Sequence, residues 1–336
     1  MILVTGGTGL VGAHLLYHLL LSGSKVRALK RSSSNINKTR FVFEFYGDET
    51  LHLFEEIEWI EGDLLDYESL ELALADAKTV YHTGALVSFN PSLRNHMMEV
   101  NEEGTANLVN ACVEKGVEKF CYVSSIATLG NSKNGETIDE FSYWQGGKNH
   151  SAYSLSKFRA EMQVWRATKE GLNAIVVNPS VILGPGNWKQ GSLKIIDTVY
   201  KGLLFYTSGG TGFVDVRDVV SAMIKLTKSN AVNERFILNG ANLSFKSLFA
   251  QIAQSLQVRP PKFRAGAQLV GIAWRYEWLK NFLFGTEPLI TKDSARSSLK
   301  RTVFSGALIS KTIDFDYTPI EKTIKDTTQY YLNTKQ

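Results

Sequence analysis

A tyrosine and a lysine four residues apart form the pair in this chain whose spacing best suits catalysis. Tyr153 and Lys157 lie in the segment Tyr-Ser-Leu-Ser-Lys, and a helix would place both side chains on one face, one turn apart. A neighbouring ammonium stabilises a phenolate, so it lowers the pKa of the tyrosine and lets Tyr153 exchange a proton with a carbonyl oxygen near neutral pH. Ser125 follows a predicted strand and supplies a second hydrogen-bond donor to that oxygen. The pattern predicts proton transfer at a carbonyl or alcohol oxygen.

A glycine-rich run near the start of the chain predicts a dinucleotide site. The sequence TGGTGLVG, residues 5–12, follows the first predicted strand and opens the first predicted helix. Positions without side chains let the chain turn tightly and let a pyrophosphate approach backbone N–H groups at the positive end of the helix. The cofactor-binding residues predicted here are Gly6, Thr8, Gly9, Leu10, Val11 and Gly12.

Two cations beyond the second predicted strand predict which dinucleotide binds. Sites that prefer NAD place an acidic residue about 20 residues after the glycines, where it accepts hydrogen bonds from the ribose 2′-OH. Here residues 26–31 contain no acid. Arg31 can instead grip a 2′-phosphate in bidentate fashion, and Lys38 can add a point charge. We therefore predict NADP, with NAD as the alternative if both cations only flank a strand end in solvent.

Alternating strand and helix patterns must position these residues. Six strands are predicted at Ile2–Thr5, Lys25–Leu29, Glu58–Glu61, Thr79–Thr83, Lys119–Ser124 and Asn173–Asn178. Helices are predicted at Val11–Ser22, Glu68–Ala75, Glu103–Lys115 and Ser154–Glu170. This alternation predicts an α/β fold with a Rossmann-type, doubly wound parallel sheet. We assign residues 1–180 to the dinucleotide-binding domain, with segments returning from about 206–240, and most of residues 181–336 to a smaller C-terminal substrate-binding lobe.

Composition narrows the class of protein. Of 336 residues, 44% are hydrophobic and 21% charged, which is typical of a globular chain. The net charge of +4 shows no block of like charges, so neither nucleic acid nor an anionic membrane is expected as partner. Two cysteines, Cys112 and Cys121, lack the number for a disulfide framework and the spacing for a metal site. With no signal peptide and no apolar run long enough to span a bilayer, the sequence predicts a cytoplasmic protein.

Seven motifs together resemble the extended short-chain dehydrogenase/reductase family, within the NAD-dependent epimerase/dehydratase superfamily. They are TGGTGLVG at 5–12, DL at 63–64, HTGA at 82–85, NEEGT at 101–105, SS at 124–125, YSLSK at 153–157 and NPSVILGPG at 178–186. The resemblance implies that Ser125, Tyr153 and Lys157 form the catalytic triad and that Tyr153 and Lys157 also contact the cofactor. It further implies adenine contacts from Asp63 and Leu64, cofactor contacts from Gly84 and Ala85, and nicotinamide contacts from Pro179 and Val181.

Three departures indicate the branch of the family. Sugar-nucleotide dehydratases carry an Asp-Glu pair where this chain has Ile126 and Ala127, so dehydration is not expected. Sugar-nucleotide enzymes also carry an Asn where this chain has Val181, and they carry an Arg before a segment that here reads Phe-Val-Asp-Val. A diphosphate would lose its amide and cation partners in such a site. The chain is more similar to the dihydroflavonol 4-reductase-like branch, in which Arg27, Arg31 and Lys38 have counterparts.

The predicted activity is the NADPH-dependent reduction of a ketone or aldehyde on an apolar or aromatic small molecule. An NDP-sugar epimerase is the alternative enzyme, and a cofactor sensor without catalysis is the alternative outside enzymology. Asn101 is either a proton relay or a helix cap. Phe89, Asn90 and residues 131–150 are predicted to face the substrate, although Trp144 and His150 also fit surface positions without a role.

Two further expectations concern assembly and the C-terminal third. Family resemblance implies a homodimer through the helices predicted at Glu103–Lys115 and Ser154–Glu170. In residues 269–283, apolar side chains at helical spacing cover a wide arc: Leu269, Val270, Ile272, Ala273, Trp274, Tyr276, Trp278, Leu279, Phe282 and Leu283. We expect that helix to be buried in the core, with a pocket wall or a partner contact as the alternatives.

Overall fold

The computed structural model describes residues 1–88, 90–130, 137–146, 150–189, 191–284 and 290–335. Its strands are β1 (Ile2–Thr5), β2 (Val26–Lys30), β3 (Glu58–Glu61), β4 (Thr79–His82), β5 (Lys119–Val123), β6 (Ala174–Pro179), β7 (Val181–Leu183), β8 (Phe205–Tyr206), β9 (Gly210–Asp215), β10 (Glu234–Leu238), β11 (Ala241–Ser244) and β12 (Phe263–Arg264). Its α-helices are α1 (Leu10–Leu21), α2 (Asn37–Tyr46), α3 (Tyr67–Ala73), α4 (Arg94–Met98), α5 (Gly104–Glu114), α6 (Ala152–Lys169), α7 (Lys194–Tyr200), α8 (Val216–Lys228), α9 (Phe245–Ser255), α10 (Ala267–Phe284), α11 (Lys292–Leu299), α12 (Ala307–Thr312) and α13 (Ile320–Asn333). Short 3-10 helices lie at Asp48–Glu56, Pro91–Leu93, Ile126–Thr128 and Gly191–Leu193, and one π-helical turn occupies Glu99–Glu103.

Seven parallel strands form the central sheet, in the order β10-β6-β5-β4-β1-β2-β3. The order reverses between β1 and β4, so a crevice opens there at the carboxyl ends of the strands. The prediction of a doubly wound Rossmann-type sheet is confirmed. The sequence-based set of six strands omits β10, which pairs with β6 and closes that edge of the sheet.

The inner strands are buried on both faces because helices cover both sides of the sheet. One apolar cluster joins α1, α2 and α8 to the sheet, and a second joins α3, α5 and α6 to the opposite face. Their members are mostly Val, Leu, Ile and Phe, which suit continuously buried parallel strands. This packing fixes the strand ends from which the candidate site is built.

A second sheet has three strands in the order β11-β9-β7, all of which follow β6 along the chain. A third apolar cluster packs α7, α9 and α13 around it, with Phe213, Leu248 and Tyr331 fully buried. α8 leaves this region and returns to the core of the central sheet, followed by β10. The smaller cluster therefore stands beside the crevice rather than beneath it.

The expectation that the helix around residues 269–283 is buried in the core is wrong. In α10, Leu269, Ile272 and Tyr276 are all exposed, and the helix packs against α11 through a small cluster that includes Val270 and Ala295. Within the described ranges, no helix is both long and apolar enough to cross a bilayer. The apolar arc of α10 therefore calls for another explanation.

Candidate active site

Ser125 and Tyr153 meet at the carboxyl end of β5. Ser125 begins the short helix after β5, where its hydroxyl accepts a hydrogen bond from the Ala127 N–H at 3.1 Å. Tyr153 lies in the first turn of α6, which Ser151 caps by accepting from the Ser154 N–H. The two hydroxyls share a hydrogen bond. The structure thus brings the predicted donor pair together at one oxygen-binding point.

Lys157 lies one turn after Tyr153 and is almost fully buried. Its Nζ donates to the carbonyl of Val123 at 2.8 Å and lies 4.3 Å from the centre of the Tyr122 ring. Burial lowers the pKa of Lys157 to about 7, while the Glu161 carboxylate acts in the opposite direction. Burial also raises the pKa of Tyr153, and its hydrogen bond to Ser125 offsets part of that rise. The pKa of Tyr153 is therefore raised, whereas an adjacent ammonium was expected from the sequence to lower it.

A buried carboxylate behind the triad was not foreseen from the sequence. Glu161 is fully buried one turn beyond Lys157, and its two oxygens gather donors from several elements. Oε2 accepts from Ser124 at 2.5 Å, Thr128 at 2.9 Å and Asn178 at 3.1 Å, while Oε1 accepts from Trp165 at 3.1 Å and pairs with Arg235 of β10. Such a set of partners offsets the cost of burying the charge.

The same network fixes the backbone of Ser125. The Ser125 carbonyl accepts hydrogen bonds from the Thr128 hydroxyl at 2.9 Å and the Asn178 amide at 3.1 Å. Both donors also lie within hydrogen-bond distance of Glu161, and the single Thr128 proton is shared between the Ser125 carbonyl and the carboxylate. The carboxylate therefore helps to orient the groups that hold Ser125 in place. The signal available in the sequence was the acidic residue four positions after Lys157; nothing local pointed to Arg235, which is 74 residues further along the chain.

Asn101 links the loop after β4 to the catalytic helix. It lies in the π-helical turn between α4 and α5, inside a continuous helical stretch from Arg94 to Glu114. Its amide oxygen accepts from the Leu86 N–H at 2.7 Å, and its amide nitrogen donates to the Leu86 carbonyl at 2.9 Å and to Ser156 at 3.0 Å. Capping is therefore the wrong alternative for Asn101, and a bridging role replaces it.

The glycine run forms a tight turn that leaves room for a phosphate group. Gly6 has φ of +72°, and a Cβ there would lie 2.5 Å from the Gly84 nitrogen. At Gly12 a Cβ would collide with the Gly6 carbonyl oxygen. Exposed Gly9 caps α1 without any side-chain hydrogen bond, so the first N–H groups of the helix keep their capacity for an anion. These features fit the pyrophosphate of a dinucleotide.

The two cations predicted to clamp a 2′-phosphate lie at the carboxyl side of β2. Arg31 is exposed directly after the strand, and half-buried Lys38 lies in the first turn of α2. Arg27 has a different role: it is buried and pairs with Glu58 at 2.6 Å and Asp76 at 3.1 Å. Of these three cations, Arg31 and Lys38 are therefore the candidates for phosphate contact.

The other predicted cofactor contacts surround the same crevice. Asp63 and Leu64 lie in the loop after β3, and the Asp63 Oδ1 accepts from the Leu65 N–H at 2.9 Å. The Gly84 N–H donates to the Thr5 hydroxyl at 3.3 Å, which ties the loop after β4 to β1. Asp63 and Leu64 follow β3, and Gly84 and Ala85 follow β4. Pro179 is the last residue of β6, and Val181 is the first residue of β7.

The predicted substrate loops give a mixed outcome. Phe89 and residues 131–136 and 147–149 of the predicted segment 131–150 lie outside the described residues. Trp144 stacks on His150 with ring centres 3.8 Å apart and on Phe158 of α6 at 4.5 Å, so its ring is occupied by packing. The Asn90 Oδ1 accepts a hydrogen bond from the Ser92 N–H at 3.1 Å, so this side chain stabilises a turn within its own loop. In the portion of the chain that the structure covers, no three His, Cys, Asp or Glu side chains form a group that could hold a metal ion.

Comparisons with known proteins agree with this geometry. A model of the NAD dependent epimerase/dehydratase family matches residues 2–239. A "Putative dihydroflavonol 4-reductase" from Synechocystis sp. is 28% identical, with 98% of this chain and 94% of that protein covered. The crystal structure of gox2253 is 30% identical with a TM-score of 0.82, covering 99% and 98% of the two chains. A UDP-glucose 4-epimerase from Thermotoga maritima has a TM-score of 0.77 at 19% identity, covering 100% and 99%, and shows the same fold.

Proposed function

Because the chain belongs to the NAD dependent epimerase/dehydratase family and is an NAD(P)-dependent oxidoreductase of the extended short-chain dehydrogenase/reductase class, we propose that it reduces a ketone or aldehyde with NADPH. The proposed substrate is an apolar or aromatic small molecule. The observation that carries the proposal is the hydrogen-bonded pair of Ser125 and Tyr153 beside buried Lys157. Ile126 and Ala127 occupy the next two positions, so this part of the chain offers a proton donor without the extra acid and base that an elimination requires.

In the proposed mechanism, the chain's own residues supply positioning and a proton. The dinucleotide supplies the hydride. The Tyr153 hydroxyl donates its proton to the carbonyl oxygen, and the Ser125 hydroxyl donates a hydrogen bond to that same oxygen. Transfer leaves a phenolate on Tyr153, which the Lys157 ammonium stabilises before solvent restores the proton. The balance is one hydride and one proton added to the carbonyl group, which yields an alcohol.

Cofactor binding is proposed at the glycine turn and the surrounding strand ends. The glycine turn at residues 5–12 would hold the pyrophosphate, with Asp63, Leu64, Gly84 and Ala85 along the dinucleotide and Pro179 and Val181 beside the nicotinamide. Arg31 and Lys38 support a preference for NADP because both lie at the end of β2, where the ribose 2′ position of a bound dinucleotide falls in such folds. NAD is the alternative if neither cation meets a phosphate.

Substitution of Arg31 tests the cofactor preference. Arg31→Asp places a negative charge where the 2′-phosphate would bind, so NADPH affinity should fall at least tenfold while NADH affinity is unchanged or improved. Arg259→Asp is the matched control, since Arg259 is also exposed and lies far along the chain from the turn. Dissociation constants from cofactor fluorescence give the comparison. An unchanged NADPH to NADH ratio would exclude Arg31 as the phosphate contact.

The proposed activity is tested by following NADPH oxidation with a panel of aromatic and aliphatic aldehydes and ketones. Turnover by the natural enzyme should fall by a factor of about 10² or more in Tyr153→Phe, while NADPH binding is retained. Tyr200→Phe, at an exposed tyrosine at the end of α7, is the control and should keep full activity. NADPH that binds but is not consumed with any carbonyl compound would contradict the reductase.

If the reductase activity is contradicted, an NDP-sugar epimerase is the alternative function. Such an enzyme returns the hydride to its own substrate, so it would be purified with tightly retained oxidised cofactor and would interconvert a sugar nucleotide without net NADPH consumption. Val181 and the lack of an arginine before Phe213 weigh against a diphosphate substrate.

We further propose a cytoplasmic location, which agrees with the two buried, free cysteines. We also propose a homodimer that forms through α5 and α6.

A further inference from the structure

One face of α10 carries a continuous stripe of exposed apolar side chains. Leu269, Ile272, Tyr276, Leu279 and Leu283 follow alternating spacings of three and four residues, and each is between 42% and 66% exposed. A helix places residues at these spacings on one face. Large apolar side chains scattered singly on a surface need no explanation, but an aligned stripe three turns or more in length marks a contact surface.

The helix is anchored to the protein by its other side. Val270 and Trp274 of α10 pack with Ala265, Ala295 and Leu299, which ties the helix to α11 and to the end of β12. Trp278, which is 54% exposed, follows Trp274 by four residues, so it continues the row of Val270 and Trp274 rather than the stripe and adds apolar surface on another part of the helix. The apolar surface is thus wider than the single seam that a two-stranded coiled coil presents.

The region around α10 is strongly basic. Residues 259–301 contain nine Lys and Arg against three Asp and Glu, a formal charge of +6 in a chain whose total is +4. The cations lie on α10 itself, on β12 and the residues before it, and on α11 and the two residues after it. Those with exposed side chains are Arg259, Lys262, Arg264, Arg275, Lys292, Arg296, Lys300 and Arg301.

We propose that α10 and these basic residues bind the surface of an anionic lipid bilayer. The apolar stripe would lie at the boundary between headgroups and acyl chains, with Tyr276 and Trp278 at headgroup level and the surrounding cations against lipid phosphates. The helix lies on the membrane and does not cross it. This inference reverses the expectation, drawn from total charge, that no anionic membrane is a partner: the total conceals a local excess.

A second copy of this chain fits the stripe less well. In a helix pair joined along the stripe, Arg275 and Lys280 would take the flanking positions on both helices. These positions would place like charges opposite one another, in a region that already carries a charge of +6. An anionic surface removes this repulsion and uses the cations. The proposal stands independently of the substrate and of the reductase activity.

The test is co-sedimentation with vesicles of phosphatidylcholine, with and without about a third of phosphatidylglycerol. The full-length protein should sediment with the anionic vesicles, less so at high salt, and little with phosphatidylcholine alone. The double variant Ile272→Ser/Leu279→Ser should bind at least tenfold more weakly. Leu72→Ser/Val232→Ser, at two exposed apolar residues elsewhere, is the matched control and should bind as the natural protein does.

The charge contribution has its own pair of variants. Lys262→Glu/Arg264→Glu should weaken binding to anionic vesicles at least tenfold, whereas Lys169→Glu/Lys228→Glu, at exposed lysines outside the basic region, should weaken it far less. Equal melting temperatures and equal NADPH affinity show that each variant is folded. Failure to sediment with anionic vesicles, or equal loss in test and control variants, would overturn the proposal. So would a dimer that Ile272→Ser/Leu279→Ser dissociates, since that assigns the stripe to a second copy.

Discussion

Burial acts in opposite directions on the two titratable groups of the catalytic helix. It raises the pKa of Tyr153, which keeps the phenol protonated and ready to donate, and it lowers the pKa of Lys157 to about 7. Loss of the ammonium removes the charge that stabilises the phenolate. The protonated pair is therefore the form that suits carbonyl reduction, and Lys157 is the group that limits the pH range.

We predict that the reduction rate falls as pH rises through about 7. The folded pKa of Lys157 lies below its ordinary value, so the ammonium is present below that pH and is lost above it. The quantity to measure is kcat/KM for NADPH, because it reports ionisations of the free enzyme. If kcat/KM stays constant from pH 6 to about 9, the ionisation of Lys157 does not limit the reduction.

Glu161 offers a second measurement on the same group. Its carboxylate raises the pKa of Lys157 against the effect of burial, so Glu161→Gln should move the fall in kcat/KM to lower pH and reduce kcat, with little effect on cofactor affinity. The control is Glu170→Gln at the end of α6, where the exposed carboxylate pairs with Arg166. A profile that keeps its midpoint in Glu161→Gln would leave the carboxylate with a purely structural role.

At this scale, local spacing was enough to predict that Tyr153 and Lys157 share one helix face and that Ser125 follows a strand; their catalytic roles stay a prediction. Tyr153 and Lys157 are separated by one helical turn, and Ser125 follows a strand that the sequence also showed. The network behind them depends on Asn178 and Arg235, which only the assembled sheet brings to Glu161. Their roles follow from tertiary contacts that no local pattern encodes.

At the scale of elements, the junction between β1 and α1 depends on the space that glycines leave. We predict that Gly12→Ala abolishes dinucleotide binding, because its Cβ would overlap the Gly6 carbonyl and displace the turn. Gly266→Ala is the control, since no other group lies within 4 Å of the Cβ it would add. Cofactor titration by fluorescence measures both. Undiminished affinity in Gly12→Ala would show that this turn does not hold the pyrophosphate.

Element boundaries were predicted best where strands and glycines mark them. The third predicted helix, Glu103–Lys115, matches α5 to within one residue at each end, but the prediction missed α4 and the π-helical turn, which extend the helical stretch back to Arg94. A π turn contains an extra residue, so it breaks the 3.6-residue pattern from which helices are inferred. The insertion directs Asn101 at the loop after β4, where its amide joins Leu86 to Ser156.

The aromatic-rich helix α10 shows a second limit of pattern reading. Its apolar residues occur at helical spacing all around the axis, and such a pattern is typical of a buried helix. Burial, however, depends on whether another element covers the helix, which periodicity does not report. In this protein, α11 covers one side only.

At the scale of the whole molecule, two buried histidines and one half-buried histidine make stability depend on acid pH. In its neutral form, His14 donates from Nε2 to the Pro185 carbonyl and accepts at Nδ1 from the Tyr46 hydroxyl. The His82 ring lies between the Thr5 and Thr105 hydroxyls and hydrogen-bonds both. Burial lowers the pKa of His14 and His18 to about 4 and that of His82 to about 3. The folded protein therefore holds all three neutral at pH values where an unfolded chain protonates them.

We predict that the free energy of unfolding falls as pH decreases from about 6.5 towards 4. Lowered folded-state pKa values contribute stability that is complete above the unfolded value of 6.5 and is lost below it, at about 1.4 kcal/mol per pH unit for each histidine. Urea unfolding at several pH values measures the slope. His82→Gln should reduce the slope of unfolding free energy against pH by the contribution of one histidine, about 1.4 kcal/mol per pH unit. His52→Gln, at an exposed histidine, should leave the slope unchanged. An equal slope in both variants would contradict the assignment.

The ion pair between Glu161 and Arg235 also sets an order for assembly during synthesis. The ribosome releases the triad and β6 well before β10, so a nascent chain that ends before residue 235 has a carboxylate at Glu161 without its cationic partner. Burying that charge unpaired costs several kcal/mol. We therefore expect this edge of the sheet to remain unpacked until β10 is synthesised, so that the candidate site is completed together with the last strand of the central sheet.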